Sequence, residues 1–110
     1  MNTGILIIAH APLASALRSA ALHVYPDAAA SVLALDVAAN DNPELTRAAA
    51  RALLTQLGTP QALVLTDVFG ATPCNVAQKV VDGVHTKLVA GGNLPMLCLL
   101  YTSDAADERS

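Results

Sequence analysis

The sequence predicts an α/β fold: an open parallel sheet with helices on both faces, making a three-layer sandwich. Strand-length apolar runs alternate along the chain with longer amphipathic segments, a pattern that implies right-handed crossovers and a buried parallel sheet. Hydrophobic residues make up 54% of the 110 positions but aromatic ones only 3%, so packing must rest on Ala, Val and Leu, which lets helices lie close against a sheet. Two of the apolar runs end in residues able to do chemistry, His10 and Asp67.

The elements follow in order. Gly4 to Ala9 is uninterruptedly apolar and ends in His10, with Pro12 two residues later, which reads as a buried strand and then a turn. From Pro12 to about Tyr25, Leu13, Leu17, Ala20, Ala21 and Val24 recur at helical spacing, and Pro26-Asp27 stops the helix. Ser31 to Val37 is a second strand and Ala38 to Asn42 a loop. Asn42-Pro43-Glu44 then supplies an N-cap, a proline at the first helical position and an acid in the first turn. That helix runs through Leu45, Ala49, Leu53 and Leu57 and stops at Gly58. Ala62 to Thr66 is a third strand delivering Asp67, and Thr72-Pro73 opens a third helix to about Val81. A turn at Asp82-Gly83, a fourth strand from Thr86 to Ala90, a tight Gly91-Gly92-Asn93 loop and a short helix near Pro95 to Leu100 complete the pattern. Residues 1–100 are expected to form one domain, and the polar stretch 101–110 a frayed or truncated end.

Composition narrows the function. The net charge is -3, and the six basic residues are scattered; with so few aromatics there is neither a phosphate-tracking stripe nor a stacking surface, which argues against nucleic acid. Every apolar run is broken well before the ~18–20 residues of a membrane span, and the N-terminal run is strand-length with no basic residues before it. Cys74 and Cys98 lack CxxC spacing and read as reduced thiols, with a disulfide as the alternative. A cytoplasmic protein with no direct membrane insertion is expected.

In parallel α/β sheets ligands gather beyond the carboxyl ends of the strands, where strand order reverses. If the first and third strands are neighbours there, His10 and Asp67 meet, with the loop from Gly70 to Thr72 on the same edge. A histidine in that place can bind metal, act as acid or base, carry a phosphoryl group or cap backbone. A carboxylate beside it favours the third role, since it fixes the tautomer of the attacking ring and stabilises the positive ring of the product. The amides that start the third helix, with the Thr72 hydroxyl, are placed to bind phosphoryl oxygens. Plainer roles stay open: Asp67 as a loop cap, Thr72 as an ordinary N-cap, and Gly70 as a turn former. His23 would lie roughly 20 Å along the first helix and His85 precedes the fourth strand, so neither joins this edge. A metal needs three converging ligands, and beyond His10 and Asp67 only Asp36 is available, so no metal is expected. Neither GxGxxG nor GxxxxGK[ST] occurs, and a receiver domain would want an acidic cluster where Ala9-His10-Ala11 stands.

Three ordered motifs, Ile7-Ile8-Ala9-His10, Leu65-Thr66-Asp67-Val68-Phe69-Gly70-Ala71-Thr72-Pro73-Cys74-Asn75 and Gly92-Asn93-Leu94-Pro95-Met96-Leu97, carry a resemblance that runs from residue 4 to about 100. Together they resemble the mannose-type (mannose/fructose/sorbose) enzyme IIA domain of the bacterial phosphoenolpyruvate-dependent sugar phosphotransferase system. The resemblance implies that His10 accepts a phosphoryl group from the histidine-containing phosphocarrier protein and passes it to an enzyme IIB. It implies that Asp67 orients His10, that Phe69, Gly70, Ala71 and Thr72 bind the phosphoryl group, and that no metal or other cofactor takes part. It also implies a sheet of order 2-1-3-4 and a homodimer. Departures are few: Gly70-Ala71-Thr72-Pro73 stands for the more usual Gly-Gly-Ser/Thr-Pro, Gly91-Gly92 for Gly-Val, and a polar tail for the family's further helix and edge strand. Other readings are a regulatory phosphohistidine module without transport, the phosphoryl-donor subunit of dihydroxyacetone kinase, and a degenerate domain without activity.

Overall fold

The structure, a computed structural model, describes residues 3–38, 40–67 and 86–89. Strand β1 (Thr3–His10) leads into helix α1 (Leu13–Val24), a single 3-10 turn at Pro26–Ala28, β2 (Val32–Val37), α2 (Pro43–Leu57), β3 (Gln61–Thr66) and β4 (Thr86–Val89). These bounds lie within a residue or so of those expected from the sequence. The third helix and the short helix near Pro95, Cys74, Cys98, and the expected tail at 101–110 lie outside the described residues.

All four strands pair in parallel in the order β2-β1-β3-β4. Because the side-chain period of a strand is two, the central strand feeds both faces. Ile5, Ile7 and Ala9 of β1 pack with Val32 of β2 and Leu65 of β3 beneath Ala14, Leu17 and Ala21 of α1. Leu6 and Ile8 pack with Leu33, Val37, Ala62 and Val64 beneath Ala50 and Leu57 of α2. The small α1 face, spaced three and four residues apart, brings that helix close to the sheet. Arg18 fastens it further: Nε donates to the Val32 carbonyl at 2.6 Å and Nη2 to the Ala29 carbonyl at 2.8 Å.

The ends of α2 form as the sequence reads. Asn42 Oδ1 accepts from the Glu44 amide at 2.9 Å, Pro43 occupies the first turn, and Gly58 ends the helix in the left-handed conformation at φ 63°. Its buried face is rotated from the expected row, however. Leu45 is 70% exposed while Thr46 is buried, which is tolerated because the Thr46 hydroxyl donates to the Asn42 carbonyl at 3.0 Å. Leu13 and Val24 of α1 also face outward, at the two ends of a helix whose middle residues make the contact.

Candidate functional site

His10 is the last residue of β1, and β1 is the inner strand at which the sheet changes direction: the chain moves from β1 outward to β2, then returns across β1 to β3. Register places His10 opposite Val37, the last residue of β2, and Ile8 opposite Thr66, the last residue of β3. Asp67 is the next residue of the chain, so the strand order alone carries it to His10.

The contact is close. The His10 backbone N–H donates to Asp67 Oδ2 at 3.1 Å, and His10 Nδ1 lies 2.8 Å from the same oxygen. The Asp67 side chain is 8% exposed and that of His10 49%. A carboxylate offers only acceptors, so the short contact is made by an Nδ1–H. In the neutral ring this leaves the lone pair on Nε2. One carboxylate oxygen thus fixes both the start of the turn, through the backbone, and the orientation and tautomer of the ring.

The turn that follows is held from the other side. The Ala11 N–H donates to the Val37 carbonyl at 3.0 Å, the Ala11–Pro12 peptide bond is cis, and the first helical bond of α1 runs from the Ala16 N–H to the Pro12 carbonyl. Pro12 occupies the N-cap position and provides no capping side chain. That task falls to Asp36, in the neighbouring strand: Oδ1 accepts from the Ser15 N–H at 3.1 Å and Oδ2 from the Ser15 hydroxyl. Asp36 is therefore engaged as a cap across strands. The signal for it in the sequence is slight: an acid inside the apolar run Val32-Leu33-Ala34-Leu35-Asp36-Val37, with Ser15 in the first turn of the helix before it.

Of the residues singled out from the sequence, the structure brings His10 and Asp67 together and keeps His23 on the exposed surface of α1. Phe69, Gly70, Ala71, Thr72 and His85 lie outside the described residues. Among the described residues no group of three or more His, Cys, Asp or Glu could hold a metal ion, and no helix is long and apolar enough to cross a membrane.

Comparison with known proteins gives this arrangement a family. A family model described as the phosphotransferase system (PTS) fructose IIA component matches residues 4–109. The chain belongs to this family. Among solved structures, the PTS IIA protein associated with the fucose utilization operon of Streptococcus pneumoniae is 25% identical with a TM-score of 0.82, covering 93% of this chain and 78% of that one. The mannose/sorbose specific IIA subunit from Enterococcus faecalis is 29% identical with a TM-score of 0.73, covering 86% and 71% respectively. The component EIIA from Streptococcus agalactiae is 25% identical with a TM-score of 0.75, covering 87% and 74%. No curated protein sequence matches the chain. The IIA component is thus a mannose-type member, and the parallel sheet agrees with the fold of these relatives. Membership supports a general role as a PTS phosphocarrier.

Proposed function

We propose that this IIA component accepts a phosphoryl group on His10 Nε2 from the histidine-containing phosphocarrier protein and passes it to an enzyme IIB. The observation that carries the reading is the 2.8 Å contact between His10 Nδ1 and Asp67 Oδ2, beside a ring that is about half exposed. A nucleophilic imidazole must be neutral and present an unprotonated nitrogen, and a carboxylate partner on Nδ1 supplies that state.

The transfer balances simply. The N–P bond of the donor's phosphohistidine breaks as the lone pair of His10 Nε2 forms a new N–P bond. The donor imidazole leaves as a neutral ring, and the His10 ring, which keeps its proton on Nδ1, becomes the cation. Asp67, already on Nδ1, offsets that charge without rearrangement. The second transfer repeats the exchange with His10 as the leaving group. In each transfer one ring loses an N–P bond and the other gains one of the same kind, so no metal or other cofactor is called for.

The sequence Phe69-Gly70-Ala71-Thr72, directly after Asp67, fits the remaining task of binding phosphoryl oxygens, by small-residue backbone amides and the Thr72 hydroxyl. A homodimer working in the cytoplasm completes the reading, in keeping with the family.

The test is intact-protein mass after incubation with the phosphorylated carrier protein, for the unsubstituted chain and for His10→Ala. The expected result is one acid-labile phosphoryl group on the unsubstituted chain and none on the variant. Labelling that survives His10→Ala, or no labelling of a folded protein, overturns the proposal.

A further inference from the structure

Asp67 secures only one side of the turn that carries His10. Between the end of β1 at His10 and the start of α1 at Leu13 there are two residues, so whatever moves the first turn of the helix moves the histidine. Two carboxylates hold this corner from opposite flanks. From β3, Asp67 takes the His10 backbone N–H and Nδ1; from β2, Asp36 takes the Ser15 N–H and hydroxyl. Asp36 pairs in register with Ala9, the residue before His10, and the Val37 carbonyl beside it takes the Ala11 N–H at 3.0 Å. The corner is therefore held to its neighbouring strands from β3 by Asp67 and from β2 by Asp36 and the residue after it.

We propose that Asp36 is a positioning residue for phosphoryl transfer at His10, acting through the Ser15 turn of α1. The inference rests on the phosphocarrier reading given above. Three features of the structure direct it. The helix has no capping side chain of its own, so Asp36 fills a vacancy that local sequence leaves open. A carboxylate at a helix N-terminus also interacts favourably with the helix dipole, which makes Asp a strong clamp there. And the clamp joins the helix that follows His10 to the strand paired with the one that precedes it, so its loss lets α1 and β1 shift relative to each other at the histidine. Misplacement of a reacting group by about 1 Å can cost on the order of a hundredfold in rate.

The test compares Asp36→Ala, Asp36→Asn and Ser15→Ala with the unsubstituted protein. Two quantities are read in each: the single-turnover rate of phosphorylation at varied concentrations of the phosphorylated carrier, and the tautomer of the His10 ring from its 15N signals in the unphosphorylated protein. Asp36→Ala is expected to lower the rate at saturating carrier about tenfold, leave the half-saturating concentration nearly unchanged, and reduce the Nδ1–H tautomer population. Asp36→Asn, which keeps an oxygen for the Ser15 N–H, is expected to restore most of the rate and the ring signals. Ser15→Ala, which removes one of the two bonds, falls between them and carries the test where Asp36→Ala does not fold. An unchanged rate and unchanged ring signals in a folded Asp36→Ala, or an Asp36→Asn as impaired as Asp36→Ala, overturn the proposal. If the unsubstituted protein accepts no phosphoryl group on His10, the phosphocarrier reading fails, and the ring signals alone then decide whether Asp36 orients His10.

Discussion

Replacing Asp67 by Asn keeps the shape of the side chain and removes its charge, which isolates what the carboxylate does for the His10 ring. With its carbonyl oxygen placed where Oδ2 now lies, Asn can still accept from the His10 backbone N–H and from Nδ1–H, so the turn and tautomer persist. What disappears is the attraction between a carboxylate and the ring cation formed on phosphorylation. At the 2.8 Å separation seen here, two unit charges fully screened by water attract by about 1.5 kcal/mol. The 8% exposure of the Asp67 side chain places the real value above that floor, and the half-exposed ring keeps it near the low end, about 1.5–3 kcal/mol. At ~1.4 kcal/mol per decade, the phosphorylation rate should fall about ten- to a hundredfold. The phosphorylated form should lose stability against the carrier by a similar factor. Rapid-quench measurement of phosphoryl uptake, with the phosphorylated fraction at equilibrium with the carrier, gives both numbers. A variant within twofold of the original in both, while His10 remains essential, would show that Asp67 is only an anchor for the loop and would refute the electrostatic argument.

Two further substitutions test the scaffold. A Cβ on Gly4 would meet Thr59 Oγ1 at 2.9 Å and both Leu57 δ-methyls at 3.0 and 3.1 Å, and Thr59 cannot easily yield because its hydroxyl takes the Gly4 N–H and donates to the Gln61 carbonyl at 2.6 Å. Gly4→Ala should therefore cost about 1–3 kcal/mol in denaturant unfolding, whereas an unchanged midpoint would mean that the contact is looser than described. The Thr66 hydroxyl is buried with no hydrogen-bond partner among the described residues, so Thr66→Val should leave stability unchanged or raise it by about 1 kcal/mol, and a clear loss would reveal a partner for that hydroxyl.

How much of this was legible in the sequence depends on how local the cause is. The start and end of α2 were, because Asn42-Pro43-Glu44 and Gly58 act within a few residues of themselves, through a side-chain cap and a left-handed glycine. The placement of His10 and Asp67 at strand ends was equally plain, since each follows an apolar run. That the two strands are neighbours was a matter of topology, and the order 2-1-3-4 came from family resemblance, since periodicity carries no strand order. The cap of α1 was hidden for the same reason: Asp36 lies 21 residues from Ser15 and on another element, so no local pattern announces it. Likewise the row through Leu45 looked like the apolar face of α2, and Thr46 took its place because a backbone carbonyl one turn earlier satisfied its hydroxyl. The expected phosphoryl-binding segment Phe69 to Thr72 lies outside the described residues, so its part rests on sequence.

The most direct test of the account is where on the protein the phosphorus goes. With 15N-labelled histidine and the phosphorylated carrier as donor, the phosphorus–nitrogen coupling identifies the bonded ring atom. The Nδ1 contact with Asp67 predicts one phosphoryl group, on Nε2 of His10, absent from His10→Ala. Phosphorus on Nδ1, on another residue, or nowhere on a folded protein would contradict it.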